Sequence, residues 1–373
     1  LGVMVADVIL LDLFNSFGLP TSTTVSIFSE LVGASIAVNL WANRTDLLSA
    51  FEVINTGPVI GIYSGIFLSI VVAFTLGALV MMLLRGVFTR DLARTFPKYG
   101  WIWSGAAFTI LAYFVIYKGL KSAAFLQDNS FVHNHLWWVV GLAAALISIP
   151  LARSRPNLVL KGLILAGTGA LAVAFAGNVL VNCSGPSVAA ALAVFVENFQ
   201  LSGKVPTPHW ALLIAGVVMA ASLWVSKKAR TVQDTEVRLA SQAGHTQRFR
   251  SAPLARMLIR IVSGTWRVLR FFVPASIRQR WDRRTQQPAQ ATEGAAYDLL
   301  RASANLTIAS MLISIGTANK LPLSTTYITF TVAMGTALGD RVWGRENADT
   351  RVTGMLTVFG GWLLTGFLAA TGA

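Results

Sequence analysis

Apolar residues in this chain come in blocks too long and too uniform for one buried face of a soluble helix. Val59 to Leu84 contains no charged side chain, and Trp101 to Tyr117 and Leu136 to Ala152 have the same character. Leu163 to Ala176, Trp210 to Val225 and Val352 to Ala370 are further blocks. About 20 predominantly apolar residues carry a helix across the hydrocarbon core of a bilayer. The pattern therefore predicts an all-α polytopic membrane protein.

Comparison of the chain with itself adds a repeat. Leu19-Pro20-Thr21-Ser22-Thr23-Thr24 returns as Leu321-Pro322-Leu323-Ser324-Thr325-Thr326, and Phe28/Phe330 and Gly33/Gly335 continue the match in the same register. An apolar segment precedes and follows each copy. Related halves around a midplane site are the hallmark of secondary transporters, so the expected architecture is an inverted repeat with broken helices and re-entrant segments. Proline lacks an N–H and disfavours helix in the residue before it, so each LPxSTT interrupts a span. Ser22, Thr23 and Thr24, and likewise Ser324, Thr325 and Thr326, would open a new half-helix with unpaired N–H groups and the positive dipole end. Such ends bind anions, phosphate among them. The competing reading is that these hydroxyls only bond to backbone or to a neighbouring helix. Recurrence after a proline at two helix breaks favours the site.

A third interruption is expected at Gly177 to Pro186, between two apolar runs. Asn178 and Asn182, four residues apart, share a face if the turn is helical. Amides at membrane depth need partners or a polar cavity, although they can also glue helices. Glu30, in the helix after the first LPxSTT, is a costly charge and a candidate for cation coupling, or else the partner of another helix. Asp7 and Asp12 lie in or near the preceding span.

Composition agrees with a membrane protein: 54% hydrophobic, 12% charged, mean hydropathy +0.62. Soluble domains carry about 25% charged residues. The net charge of +14 alters the picture only through its distribution. Lys227 to Arg301 holds 15 Lys+Arg against 5 Asp+Glu, and lesser basic clusters sit at Arg85, Arg90, Arg94 and Lys98 and at Arg153, Arg155 and Lys161. Basic residues collect in cytoplasmic loops, so these regions are placed on the cytoplasmic side and no nucleic-acid partner is expected. Within the long loop, Arg256, Arg260, Arg267 and Arg270 fall on one side of a helix, with Trp266 and aliphatic residues elsewhere, which predicts an amphipathic interfacial helix. Its flanks, 231–247 and 285–294, are polar and read as flexible. Cys183 is the sole cysteine, so no intrachain disulfide forms.

The two LPxSTT copies and the Ala176-Gly177-Asn178-Val179-Leu180-Val181-Asn182 element resemble the inorganic phosphate transporter (PiT) family of sodium- or proton-coupled phosphate permeases. The resemblance covers 17–37, 174–190 and 305–367. It implies phosphate bound by Ser22, Thr23, Thr24, Asn178, Asn182, Ser324, Thr325 and Thr326. It also implies cation coupling at Ser22, Thr23, Asn178, Ser324 and Thr325, with sodium at the same positions and Glu30 as a further candidate. No cofactor is implied. Expected partners are inorganic phosphate, a sodium ion or proton, the lipid bilayer and a second copy in a homodimer, in the bacterial inner membrane.

Two departures matter. The family's Gly-Asn-Asp has Val179 in place of the aspartate, and valine can neither ligate sodium nor carry a proton. The family's amino-terminal Gly-Asn-Asp element is absent, and the repeat register puts it ahead of Leu1, so the chain is read as lacking part of its amino end. The implied organisation is 1–57 as the end of a first repeat, 58–157 as peripheral spans and 158–226 as the start of a second repeat. Residues 227–300 form the basic loop, and 301–373 end the second repeat. A degenerate, non-transporting phosphate receptor and a carrier of another oxyanion stay open. An intramembrane Ser/Thr hydrolase is disfavoured, because none of His133, His135, His209 and His245 falls in a polar break to serve as base.

Overall fold

The structure is a computed structural model that describes residues 2–43, 54–88, 92–115, 130–196, 208–241, 298–319, 323–340 and 348–373, with isolated positions between them. Every regular element among them is helical: α1 (Gly2–Ser16), α2 (Thr23–Asn43), α3 (Thr56–Val87), α4 (Leu92–Ala112), α5 (Ser130–Ser154), α6 (Pro156–Phe175), a π-turn (Ala176–Leu180), α7 (Val181–Phe195), α8 (His209–Val225), α9 (Lys227–Ala240), α10 (Leu299–Ala318), α11 (Thr325–Gly339) and α12 (Ala348–Gly372). Six helical runs are long and apolar enough to span a membrane, seven if α8 and α9, bent by 73°, count as one. The apolar block 101–117 predicts a span, but α4 is not among these six; its first half carries Arg94, Pro97 and Lys98.

Burial is inverted relative to a soluble protein. Leu68, Leu165, Leu213 and Phe367 are 64–74% exposed, whereas Ser26, Glu30, Arg301, Thr331 and Thr336 are fully buried. Apolar side chains face outward because lipid tails solvate them, and polar ones turn inward to find partners.

Helix packing follows the repeat. Each LPxSTT helix lies against the long helix that follows the other copy: α2 against α12, and α11 against α3. The equivalent glycines make both approaches possible. A Cβ on Gly33 would stand 1.9 Å from the Ala370 carbonyl oxygen, and one on Gly335 would stand 2.2 Å from that of Phe74. Small residues at such contacts let helix backbones meet without lipid between them.

The expected interruption at 177–186 is not a break. The chain runs from α6 through the π-turn into α7 as one helical run, Pro156–Phe195. One extra residue in a turn re-aims the side chains around Asn178 without ending the helix, and such bulges concentrate at functional sites. Pro186 stays inside α7, where its missing N–H relieves the Asn182 carbonyl of its usual partner.

At one end of α3, α10 and α11 the charges are paired. Arg85 contacts the carboxylates of Asp298 and Asp340, the latter at 2.6 Å from Nε. Asp298 also caps α10, accepting from the Arg301 N–H at 2.9 Å. Arg301 donates to the Ala333 carbonyl at 3.2 Å. Arg85, read from the sequence as a loop cation, is thus a buried strut 2% exposed.

The flank beginning at Thr231 is not a flexible tail over its first part, for α9 runs to Ala240 and is docked. Lys228 pairs with Asp12 at 2.6 Å, and Thr231 donates to the Asn15 carbonyl at 3.0 Å. Arg351 closes the far end of α9, donating to the carbonyls of Leu239 at 2.9 Å and Ser241 at 2.7 Å. A guanidinium at a helix carboxyl end satisfies carbonyls the helix itself leaves open. Of the amphipathic segment 256–270, Arg256 and Arg260 are helical and exposed, while Arg267, Arg270 and Trp266 lie outside the described residues, as does the flank 285–294.

Arg85→Leu leaves Asp340 buried, and Asp298 partly buried, without their guanidinium, which costs about 3–5 kcal/mol. The expected result is a clear fall in the thermal unfolding midpoint of the detergent-solubilised protein. A midpoint within a degree or so of wild type, where a 1 kcal/mol change already shifts small domains by several degrees, would contradict this role.

Candidate functional site

The site begins with the way the helices stop. After α1, Gly18 takes a positive φ of 64°, and the Leu19 N–H reaches back to the Phe14 carbonyl at 3.1 Å. This is the glycine-dependent closure that ends a helix, and Pro20 prevents its resumption. In the second copy the Leu321 N–H reaches back to the Gly316 carbonyl at 2.9 Å, the same step along the chain.

The next helix starts the same way in both copies. Ser22 Oγ accepts from the Val25 N–H at 3.2 Å, and Ser324 Oγ accepts from the Tyr327 N–H at 3.2 Å. Each serine is therefore an N-cap, with its own O–H proton free to donate elsewhere. Thr23 and Thr24 open α2; Thr325 and Thr326 open α11. Four first-turn N–H groups per helix have no intrahelical acceptor, and the macrodipole places positive partial charge there.

The two ends meet. Thr24 Oγ1 reaches the Leu323 carbonyl at 3.5 Å, joining the first element to the second across most of the chain's length. Asn182 Nδ2 donates to Thr24 Oγ1 at 3.3 Å and to Asn178 Oδ1 at 3.1 Å. The shared face expected for the two asparagines is present, and it lies against the first turn of α2. Ser22, Thr24, Asn178, Ser324 and Thr325 are all buried, at 1–5% exposure. Thr23 opens α2 near Cys183 of α7. Thr326 is half-buried in the first turn of α11. Val179 is half-buried within the π-turn and brings no oxygen to the cluster.

Glu30 does not join this cluster directly. It lies six residues beyond Thr24, about 9 Å along the helix axis at 1.5 Å per residue. Its carboxylate accepts from Ser26 Oγ at 3.1 Å and is fully buried.

Trp362 on α12 braces both elements, and nothing in the sequence signals it. Its indole N–H donates to the Pro20 carbonyl at 2.7 Å, and its ring stacks on Tyr327 with centroids 3.8 Å apart. Thr365, three residues on, shares a 2.8 Å hydrogen bond with Thr21. One side chain thus pins the backbone before Ser22 and the residue after Thr326. A cavity of about 240 Å³ opens beside this ring, bounded by Val25, Ile66 and Phe367 among others; its apolar lining does not suit an anion.

The arrangement offers donors without a fixed cation: hydroxyls, amide N–H groups and two dipole ends. Those are the elements of an anion site built from helix termini. Oxygens of the same serines, threonines and asparagines can ligate a hard cation.

A family model described as the phosphate transporter family matches residues 1–244. The chain belongs to the phosphate transporter family. This is a family of transporters rather than enzymes, which answers the hydrolase alternative. Among curated relatives, "Putative phosphate permease TK2061" of Thermococcus kodakarensis is 27% identical over 225 residues, 58% of this chain and 52% of that one. "Putative phosphate permease PYRAB14010" of Pyrococcus abyssi is 22% identical over 227 residues, 59% of this chain and 53% of that one. The chain spans about half the length of the curated relatives it matches. A solved structure titled "The sodium-dependent phosphate transporter" aligns with a TM-score of 0.59 at 16% identity, covering 100% of this chain and 76% of that one. That likeness bears on the fold, which is a multi-spanning all-α membrane protein.

Trp362→Phe keeps a ring against Tyr327 but removes the bond to Pro20, so it should cost about 1 kcal/mol of stability. Trp362→Ala removes both and should cost about 3–5 kcal/mol. Thermal unfolding of the two variants in one detergent checks the order; equal midpoints would show that the Pro20 bond, and not the stacking, carries the bracing.

Proposed function

We propose that this chain forms part of a secondary active transporter of inorganic phosphate, coupled to sodium ions or protons. The observation that carries the reading is the meeting of two serine-capped helix N-termini, at Ser22 and Ser324, beside Asn178 and Asn182. In this reading the anion sits between the first turns of α2 and α11. Free N–H groups, the hydroxyls of Ser22, Thr23, Thr24, Ser324, Thr325 and Thr326, and the two amides donate to its oxygens, Asn182 exchanging its bonds to Thr24 and Asn178 for bonds to the anion. A cation bound at the oxygens of Ser22, Thr23, Asn178, Ser324 and Thr325, with Glu30 deeper in α2, offsets the anion's charge, since either ion alone is costly at membrane depth. Cross-repeat packing of α2 on α12 and α11 on α3 gives two bodies that can rock about the site. The basic stretch 227–300 lies on the cytoplasmic side of a cell membrane, by its charge.

Support comes from membership of the phosphate transporter family and from the sodium-dependent phosphate transporter whose fold is similar. A second reading, a phosphate receptor that no longer transports, is favoured by Val179, which removes a carboxylate from the element next to the anion site.

Radiolabelled phosphate uptake into proteoliposomes, with imposed sodium or proton gradients, tests both. Gradient-driven uptake by the Val179 protein supports the transporter. Uptake only after Val179→Asp supports the receptor reading. Absence of uptake in both, with no phosphate binding by folded protein, sinks the phosphate assignment. Thr325→Val and Asn182→Leu each delete a donor to a charged ligand, worth about 1.5–3 kcal/mol. Equilibrium binding of phosphate should weaken about tenfold or more in each; unchanged affinity would remove that residue from the site.

A further inference from the structure

Two carboxylates lie buried beside the candidate site, and the described residues leave each incompletely partnered. Asp7 on α1 is 4% exposed and Glu30 on α2 is fully buried. Ser26 stands between them. Its hydroxyl donates to Glu30 Oε1 at 3.1 Å and lies close to the Asp7 carboxylate. The two acids feel each other's charge. A hydroxyl has one proton, so Ser26 satisfies one carboxylate at a time. The remaining oxygens, Asp7 Oδ1 and Glu30 Oε2, are buried and accept no hydrogen bond among the described residues.

Among the described residues, the elements packed around the pair bring no counter-charge to it. Cys183 of α7 is within electrostatic range of Asp7 and cannot carry a positive charge. Tyr63 of α3 is occupied with Ser29, at 2.5 Å. Of the basic residues on α9 and α12, Lys228 pairs with Asp12, Arg230 bonds to the Trp224 carbonyl and Arg351 closes the end of α9. None of these bonds reaches Asp7 or Glu30.

We propose that Asp7, Ser26 and Glu30 form a binding site for a monovalent cation, a sodium ion or a proton, held on the open oxygens of the two carboxylates. The donors are all hard oxygens, which excludes a preference for soft metals, and they are too few for calcium, which takes six to eight. A buried acid pair without counter-charge is expensive, and a bound cation removes much of that cost. The site adjoins the anion site along α2, where Ser26 follows Thr24 by two residues. Loading a positive charge here raises the potential at the first turn of α2 and favours the anion, and anion binding favours the cation by the same factor. The pair thereby supplies the carboxylate chemistry that Val179 lacks. As a coupling site it rests on the transport reading; as a cation site it does not.

The test is thermal unfolding of the purified protein without phosphate, across sodium concentration at constant ionic strength and across pH. The wild type should be stabilised by sodium if that ion is the occupant, and by lower pH if the proton is. A proton occupant should also give a protonated-carboxyl infrared band that Glu30→Gln removes. In Asp7→Asn and Glu30→Gln the half-maximal cation concentration should rise about tenfold or more, the effect of losing one charged ligand. Should neither acid variant fold, Ser26→Ala keeps both carboxylates and should shift the same response. Folded variants that match wild type within about twofold, well inside the effect of one charged ligand, would overturn the site. So would a wild type indifferent to both ions. Loss of the response in the variants, in a protein that binds no phosphate, would leave the cation site standing and defeat only the transport reading.

Discussion

A helix that ends inside a bilayer leaves backbone N–H groups where no water can take them, and this constraint organises the molecule. The chain stops two helices with equivalent backbone closures, at Leu19 and Leu321, and restarts each with a serine cap. Every further feature of the centre answers the resulting demand for partners. Thr24 turns toward the Leu323 carbonyl, Asn182 toward Thr24, and Trp362 toward the Pro20 carbonyl. Cross-repeat packing through Gly33 and Gly335 keeps the two restarted helices near one another. The donors that remain converge on one place, so a structural obligation becomes a site for an anion.

The same accounting applies to charge. Arg85 is balanced by Asp298 and Asp340, and Arg351 by two helix carbonyls, so these arginines act as struts. Asp7 and Glu30 have only the Ser26 hydroxyl between them. Buried charge that is paired holds a membrane protein together, whereas buried charge that is unpaired marks where an ion can enter. The two classes lie in different parts of this fold. The struts join α3, α10 and α11 at one end and α9 to α12, and the unpaired acids lie between α1 and α2.

What the sequence made legible follows the range of each interaction. Span-length apolar blocks and the LPxSTT repeat are local signals, and they locate α2, α3, α5, α11 and α12 and the two stops between helices. The sequence reading puts Ser22 and Ser324 in the first helical turn; they stand one residue earlier, as N-caps. The π-turn was not legible, because glycines and a proline read as a break whether the chain ends its helix or only widens one turn. Arg85 looked like a loop cation, since its partners Asp298 and Asp340 lie far along the chain. Trp362 carried no signal at all. Its role depends on which helix faces Pro20, and that is a tertiary fact.

The central claim is that the two serine-capped ends and the asparagine pair make one anion site. Anomalous diffraction from crystals soaked in arsenate, a tetrahedral analogue with its own absorption edge, tests it most directly. The account predicts an arsenic peak between the first turns of α2 and α11, within hydrogen-bonding distance of Ser22 or Ser324 and beside Asn182. A peak elsewhere in the protein, or none at saturating arsenate, would contradict it.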